Sequence, residues 1–216
     1  MKLPEKTIGR LSEYRRTLLN CLGNGKTHIY SHELANLHNI TAVQVRRDIM
    51  LIGYSTTAKK GYDVKALIDV IGEIIDTDQG LNAAIVGVGN LGRAITTYFN
   101  GKRTKLRIVA TFDTDPLKVG RVIAGVKCYS MAELKDIVVQ NDISIGVITV
   151  PPEDAAQVTD QLVMAGVKGL LNYTSSPLNV PENVYLEEYD MITSLEKVAY
   201  FVKQKGNEHL STESAE

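Results

Sequence analysis

The sequence predicts an α/β protein in which a small helical domain precedes a doubly wound parallel sheet. Its 216 residues exceed one ordinary small domain, which leaves room for two cores. Before Tyr62, apolar residues recur mainly at helical intervals. From Leu81 onward, short strand patterns alternate with helical ones, as in a parallel sheet with crossover helices.

Composition favours packed cores over disorder, because hydrophobic residues make up 44% of the chain and charged residues 23%. The longest apolar stretches, such as 143–151, fall short of the roughly 20 residues that span a bilayer. The N-terminus lacks the apolar core of a signal peptide, so we expect a cytoplasmic protein. Cys21 and Cys128 show no metal-ligand spacing, and a thiol redox switch is the minor alternative.

The formal net charge of −1 hides two opposite halves. Up to Tyr62, ten lysines and arginines against four acidic residues give +6, and fourteen against twenty-one give the remainder −7. This asymmetry suggests that the first domain binds a polyanion. A solvated basic face without a partner is the alternative.

Three short helices are predicted before Gly53, which ends the third. The first covers 4–24, and the second runs from Ser31, as its cap, through residue 37. The third starts at Thr41, which forms a predicted capping box with Gln44. Its buried stripe is expected at helical spacing, at Ala42, Val45, Ile49 and Ile52.

The opposite face of the third helix carries Gln44, Arg46 and Arg47. Arginine can pair with guanine O6 and N7 in the major groove, while Ser31 and helix N-termini suit phosphates. Residues 54–62 hold polar turn residues and two lysines, which suits a β-hairpin. Three helices and a hairpin are the pattern of a winged helix-turn-helix. A helical oligomerisation module with solvated arginines is the alternative.

A connecting helix is predicted over 64–75, because its apolar residues fall on one helical face, and a short linker follows at 76–80. The chain should therefore divide into a winged-helix domain at 1–78 and a sheet domain at 79–193, with residues 194–216 as a C-terminal helix and tail. Strands of the sheet domain are predicted at 83–87, 107–112, 144–149 and 168–171.

A glycine-rich turn follows the first of these strands, with the sequence Gly87-Val88-Gly89-Asn90-Leu91-Gly92, and a helix continues from it. Gly87 permits a tight turn, Gly89 lets the backbone approach a pyrophosphate, and Gly92 lets the helix pack closely on the strand. This context predicts a Rossmann-like dinucleotide site. A purely structural glycine turn is the alternative.

Two further segments fit such a site. The second strand ends in Asp113, where an acid can accept from the adenosine ribose hydroxyls, which favours NAD over NADP. Thr149-Val150-Pro151 ends a later strand at the carboxyl edge, where doubly wound folds bind ligands. We expect this segment to border the cofactor, with a simple proline turn as the alternative.

Histidines are absent from the predicted sheet domain and lie elsewhere, at His28, His32, His38 and His209. A dehydrogenase would need a proton donor near the nicotinamide. Tyr98 and Lys102 form a Tyr-x-x-x-Lys pair, but too close to the glycines for a short-chain dehydrogenase. An oxidoreductase with a helical appendage and a regulator that binds coenzyme A remain the alternatives; only Asp113 argues against the latter.

Characteristic segments follow in the order GVGNLG, FDTDPLKVG, ITVPPE and GLLNYT, after KLPEKTIGRLSEYRR and TAVQVRRD and before NVPENVYLEEYD and SLEKVAYFV. With them, nearly the whole chain resembles the Rex family of redox-sensing repressors. The resemblance implies a homodimer that binds inverted-repeat operator DNA and releases it when NADH binds. It implies that NAD+ tolerates or favours DNA binding, and it implies no catalysis.

The resemblance also assigns residues. The family's recognition-helix pattern falls on Gln44, Arg46, Arg47 and Asp48, with Arg47 where a lysine is usual. Its nicotinamide-edge segments fall on Thr149 to Pro151 and on Asn172 and Tyr173, and its tyrosine near the nicotinamide falls on Tyr98. Its regulatory aspartate, which acts from the partner subunit, falls on Asp190, and its domain-swapped C-terminal helix falls on 195–202.

The wing departs from the family. Rex wings usually carry a run of the type FGxxGxRGxGY, whereas residues 52–62 read IGYSTTAKKGY. Without the arginine-glycine tip, Lys59 and Lys60 are expected to contact phosphates instead of the minor groove. Arg10, on the first helix, is a further candidate for DNA contact.

Overall fold

The computed structural model describes residues 3–56, 60–99 and 105–213. The chain divides into two compact units, Met1–Asp78 and Gln79–Glu216. None of the helices that the structure describes is both long and apolar enough to cross a bilayer.

Over its described residues, the first unit consists of helices around a two-stranded sheet. In chain order these are α1 (Glu5–Gly23), β1 (His28–Ile29), α2 (Ser31–Leu37), α3 (Ala42–Leu51), β2 (Tyr62–Asp63) and α4 (Val64–Ile75). One face of each helix and Ile29 of β1 form its core. Its fully or almost fully buried side chains include Leu11, Tyr14, Leu18, Leu34, Val45, Ile49, Leu67 and Ile71. The predicted helices are therefore confirmed.

Two local details of this unit differ from expectation. Ser31 does not cap α2 but is its first residue, and the backbone amide of the preceding Tyr30 donates to the Glu33 carboxylate at 2.7 Å. Only one of the two hydrogen bonds of the predicted capping box forms at the start of α3. Thr41 Oγ1 accepts from the Gln44 backbone amide at 3.1 Å, but the Gln44 side chain donates to Asp48.

The expected hairpin over 54–62 is not seen in the part of the chain that the structure describes. Residues 54–56 form no strand, and 57–59, which include Lys59, lie outside the described residues. Instead, β2 pairs antiparallel with β1. Gly61 makes this approach possible: its φ is +87°, and a Cβ there would lie 2.6 Å from the carbonyl oxygen of Ile29.

Across its described residues, the second unit holds a seven-stranded sheet in the order β5-β6-β4-β3-β7-β8-β9. The neighbours are parallel except β5 and β6. The strands are β3 (Leu81–Val86), β4 (Leu106–Asp113), β5 (Val122–Ile123), β6 (Val126–Ser130), β7 (Ile143–Ile148), β8 (Gly169–Asn172) and β9 (Tyr185–Glu188). All four predicted strands are confirmed, and β5, β6 and β9 were not predicted.

Helices cover both faces of this sheet: α5 (Asn90–Phe99), α6 (Leu134–Gln140) and α7 (Ala155–Met164). Side chains of β3 alternate between two cores, since Ala84 and Val86 belong to the cluster with α6 and α7, and Ile85 to the cluster with α5. After β3 the chain crosses to β4, and after β6 it returns to β7 on the other side of β3. Such a reversal leaves a crevice at the carboxyl ends of β3, β4 and β7.

The last helix is α8 (Met191–Glu213), and its apolar side chains are exposed from residue 191 to 204. Every side chain from residue 191 to 204 is exposed. The apolar ones are Met191, Ile192, Leu195, Val198, Ala199, Tyr200, Phe201 and Val202. Exchange of this helix with a second copy remains a prediction.

Candidate nucleotide site and nucleic-acid interface

A cavity of about 780 Å³ occupies the crevice at the carboxyl ends of β3, β4 and β7. Its volume lies in the range of small-molecule and cofactor sites. Six residues predicted from the sequence line it together: Gly87, Gly89, Asp113, Thr149, Val150 and Pro151. The fold thus brings the glycine turn, the acid and the segment after β7 to one place.

The glycine turn has a geometry that requires glycine at two of its three glycine positions, Gly87 and Gly92. Gly87 has a φ of +92°, and a Cβ there would lie 2.7 Å from the Thr149 carbonyl oxygen. A Cβ on Gly92 would clash with the carbonyl oxygen of Gly87, so α5 packs directly on the turn. At Gly89 a Cβ would meet nothing within 4 Å, so the backbone there faces open space.

Thr149 joins this turn to the end of β7. Its hydroxyl lies 2.7 Å from the Gly87 carbonyl oxygen and 3.1 Å from that of Val86. Its backbone amide also donates to Val86. Thr149 therefore holds the two strand ends that form the floor of the cavity.

Asp113 accepts from three donors at the end of β4. The Val88 amide and the Lys118 ammonium bond Oδ2 at 2.8 and 2.9 Å, and the Asp115 amide bonds Oδ1 at 2.9 Å. Burial opposes ionisation, but these hydrogen bonds outweigh it and hold the pKa of Asp113 below its ordinary value. The carboxylate is therefore ionised at neutral pH, and Oδ1 retains acceptor capacity for a ribose hydroxyl.

Sequence reasoning missed Lys118, which lines the cavity beside Asp113. The segment FDTDPLKVG contains it, but five residues of separation from Asp113 gave no periodic signal. Sequence reasoning also missed the wall that Asp154, Gln157 and Gln161 form along α7. Their spacing of three and four residues places them on one helical face, and this pattern after ITVPPE was the available signal.

Other predicted residues of the glycine turn serve its packing. Val88 is buried against Ile123 and Cys128, and it contributes its amide to Asp113. Leu91 packs on the core beneath α5, whereas the Asn90 side chain is exposed.

Asn172 is the last residue of β8 and Tyr173 follows it; neither lines the cavity. Asn172 is 1% exposed. Its side-chain nitrogen donates to the Ser176 carbonyl, and its side-chain oxygen accepts from the Thr174 amide and hydroxyl, so Asn172 shapes the loop after β8. The ring of Tyr173 lies 5.3 Å from that of Tyr189. Burial raises the pKa of the Tyr173 hydroxyl.

Tyr98 and Asp190 lie apart from the cavity lining within this chain. Tyr98 is 59% exposed near the end of α5 that is remote from the glycine turn. Asp190 precedes α8 and accepts from the Ile192 amide at 2.8 Å and from the Thr193 hydroxyl. Its visible role is thus to cap α8, and a regulatory role remains a prediction.

On the first unit, α3 presents Arg46 and Arg47 on its exposed face, as expected. Arg46 donates to the Ser31 hydroxyl at 3.1 Å, which places two predicted DNA contacts side by side. Lys60 is exposed as well. Positive side chains next to the start of α2 form a surface suited to a phosphate backbone.

Asp48, by contrast, is fully buried and serves as the acceptor for a network that ties α3 to α1. Arg10 donates to both carboxylate oxygens at 2.6 and 2.7 Å, Tyr14 donates at 3.0 Å and Gln44 at 2.9 Å. Burial opposes the charge, but the bonds from Arg10, Tyr14 and Gln44 lower the pKa of Asp48. Arg10 and Gln44, both predicted DNA contacts, are therefore turned partly inward.

Both cysteines are free thiols. Cys128 is fully buried, and burial raises the pKa of its thiol, while Cys21 packs against the first core. A raised pKa lowers the thiolate fraction that redox chemistry requires.

Comparisons with known proteins agree with a nucleic-acid interface on the first unit and a nucleotide site on the second. Residues 2–49 match a family described as a putative DNA-binding protein N-terminus, and residues 78–176 match a family described as a CoA binding domain. The redox-sensing transcriptional repressor Rex of Leuconostoc citreum is 37% identical over 206 residues, which are 95% of each chain.

Solved structures match both units. RSP, a Rex-family repressor, in complex with β-NAD+ and operator DNA aligns with a TM-score of 0.87 and 31% identity over 95% of each chain. RSP in complex with β-NADH aligns with a TM-score of 0.83 and 30% identity, over 95% of this chain and 97% of that one. Matches of this extent and identity show that the chain belongs to the Rex family of redox-sensing transcriptional repressors.

Proposed function

We propose that this protein is a transcriptional repressor that senses the ratio of NADH to NAD+. The first unit binds an inverted-repeat operator through α3, the second binds the nucleotide, and NADH releases the DNA. The observation that carries this proposal is the full-length likeness to a Rex-family repressor whose structure holds NAD+ and operator DNA together. Such a regulator acts in the cytoplasm, where it meets both DNA and the nucleotide pool.

The residues of the cavity fit a dinucleotide. The open backbone at Gly89 and the N-terminus of α5 would receive the pyrophosphate, because unpaired amides and the helix dipole favour anions there. Asp113 would accept from the adenosine ribose, and Thr149 to Pro151 would border the nicotinamide end. Bound in this way, the cofactor acts as a regulatory ligand.

Regulation is favoured over catalysis by the likeness of 95% of the chain to Rex repressors. The described residues around the cavity include no histidine, tyrosine or cysteine, and the carboxylates of Asp115 and Asp154 are the remaining groups there that could exchange a proton with a substrate, apart from Asp113 and Lys118. Lys118 is engaged by Asp113 at 2.9 Å. Turnover of NADH with a panel of small carbonyl compounds would support the oxidoreductase alternative instead.

Coenzyme A is the second candidate ligand, because residues 78–176 match a family described as a CoA binding domain. An acid that accepts from the ribose hydroxyls suits NAD, whereas the 3′-phosphate of coenzyme A would bring negative charge near Asp113. Competition between coenzyme A and NADH for the free protein separates the two. We expect NADH to remain bound when coenzyme A is present in equal concentration.

We further propose that the protein is a homodimer held in part by exchange of α8. Leu195 and Val198 on this helix are 70% and 58% exposed, and one apolar helix face of this size calls for a cover. Exchange would bring the Asp190 of one subunit towards the nicotinamide site and Tyr98 of the other. Removal of residues 195–216 should convert the dimer to a monomer in light scattering.

Release of DNA requires that NADH bind one dimer state more tightly than the other, since equal affinity shifts no equilibrium. The test is a DNA-binding titration at fixed salt with NADH and, separately, with NAD+. We expect NADH to abolish the complex at concentrations at which NAD+ leaves it intact. Retention of the complex in saturating NADH would contradict the proposal.

A further inference from the structure

The exposed face of α3 carries apolar side chains as well as the two arginines. Val43 is 65% exposed and Met50 is 72% exposed. With Arg46 and Arg47 they are spaced three and four residues apart, so all four share one face of the helix. Together with Leu51 they line a groove of about 470 Å³.

Single exposed valines are common on protein surfaces, so exposure alone gives Val43 no significance. Its position on α3 does. Val45 and Ile49 fill the core from the opposite side of α3, and Val43 does not belong to that core. It lies in the first turn of the helix, which is the part of a recognition helix that meets base edges. Arg47 follows one turn later on the same face.

An apolar group one turn before two cationic side chains matches one feature of the major groove. Bases present hydrogen-bond donors and acceptors there, and thymine adds an apolar 5-methyl group. Arg46 and Arg47 are positively charged and lie in a segment with a formal charge of +6, so this face favours a polyanion as its partner. Duplex DNA therefore supplies both partners, phosphates for the charge and a methyl group for the valine.

We propose that Val43 reads the 5-methyl group of a thymine and so sets the base preference at one position of each half-site. This inference rests on the proposed function. Four helical residues correspond to about 6 Å along the axis, and base pairs are about 3.4 Å apart. The thymine should thus lie about one or two base pairs from the guanine that Arg47 contacts.

The test uses the full chain and an inverted-repeat duplex that the protein itself selects from a randomised pool. Each thymine of a half-site is replaced in turn by deoxyuridine, which lacks only the methyl group. Burial of one such group changes affinity by roughly fourfold. We expect the unmodified protein to lose about this factor at one position, and Val43→Ala, whose shorter side chain withdraws from the methyl group, to lose most of this discrimination there.

Two variants control for indirect effects. Val43→Ile keeps both γ-carbons and should preserve the discrimination between thymine and uracil. Val139→Ala makes the same truncation at a 69% exposed valine of α6 and should behave as the unmodified protein. NADH affinity, read from the second unit, should be equal in all four proteins.

Each outcome decides the matter. Discrimination by Val43→Ala equal to that of the unmodified protein would overturn the inference while leaving DNA binding intact. So would equal binding of every uracil duplex by the unmodified protein. If the unmodified protein selected no duplex at all, the proposed function would fail first, and the reading of thymine with it.

Discussion

Single buried carboxylates organise both units. Asp48 joins α3 to α1 through Arg10 and Tyr14, and Asp113 joins the glycine turn to the loop after β4. In each case burial penalises the charge, and several donors more than compensate for it. Each carboxylate therefore contributes stability that depends on its being ionised.

Asp48→Asn should lower the free energy of unfolding of the first unit. Removal of one partner from a buried ion pair costs about 3–5 kcal/mol, and the partial exposure of Arg10 reduces our expectation to about 2–3 kcal/mol. Urea unfolding of the full chain measures the change. Asp69→Asn, at an exposed site on α4, should cost less than about 0.5 kcal/mol.

The pH dependence of this difference follows from its sign. The folded state lowers the pKa of Asp48, so the stabilising effect is fully present above the ordinary value of 3.8 and is lost as pH falls through the lowered value. The stability gap between Asp48→Asn and the unmodified protein should therefore narrow only in acid below about pH 4. A stability difference between the two proteins that stayed constant down to pH 2 would show that the charge of Asp48 does not stabilise the first unit.

Asp113→Ala should weaken NADH binding by about 1.5–3 kcal/mol, the range for hydrogen bonds to a charged group. Calorimetric titration of NADH measures this loss, and DNA binding without nucleotide should stay within a factor of two. Asp136→Ala, at an exposed site on α6, is the matched control. Unchanged NADH affinity in Asp113→Ala would remove its proposed contact with the ribose.

Among the secondary-structure elements, the predictable ones were those whose sequence pattern matches their burial. Strands β3, β4 and β7 carry apolar runs because they lie inside the sheet. The edge strand β9 reads Tyr-Leu-Glu-Glu and is mostly exposed, so it showed no such run. The pairing of β2 with β1 joins residues far apart in sequence, which local patterns do not encode.

The same contrast holds for the cavity. Gly87, Asp113 and Thr149 were predictable because each ends or directly follows a strongly patterned strand. Lys118 and the side chains of α7 reach the cavity only through tertiary packing, and the inward turn of Gln44 depends on the buried Asp48.

The recognition helix supports a prediction at the same scale. Arg46→Ala and Arg47→Ala should each weaken operator binding by about 1–3 kcal/mol, the cost of one base-reading contact. Neither should unfold the protein, because both side chains are exposed. Lys65→Ala removes a positive charge from an exposed site on α4, and fluorescence anisotropy with labelled operator should show a smaller loss for it. Equal losses in all three variants would indicate non-specific electrostatics.

For the whole molecule, the question is how a nucleotide in one unit changes DNA binding by the other. The apolar face of α8 offers a route, since its exchange between subunits would make the geometry of the dimer depend on both copies. A dimer whose recognition helices no longer match successive turns of the groove would release its operator. Asp190 lies where α8 begins, so it is the residue to test.

Two roles of Asp190 must be separated, because its carboxylate already caps α8 through Ile192 and Thr193. The hydrogen bond from Thr193 lowers its pKa, so the group is charged at neutral pH. Asp190→Asn keeps a good capping side chain and removes the charge, whereas Asp190→Ala removes both.

If the charge senses the nicotinamide, both variants should require more NADH to release DNA, with DNA affinity unchanged in its absence. The measurement is operator binding across an NADH titration, with NADH affinity determined separately. If Asp190→Asn behaved as the unmodified protein and only Asp190→Ala differed, Asp190 would be a helix cap. An unaltered response in both variants would place the switch elsewhere in the dimer.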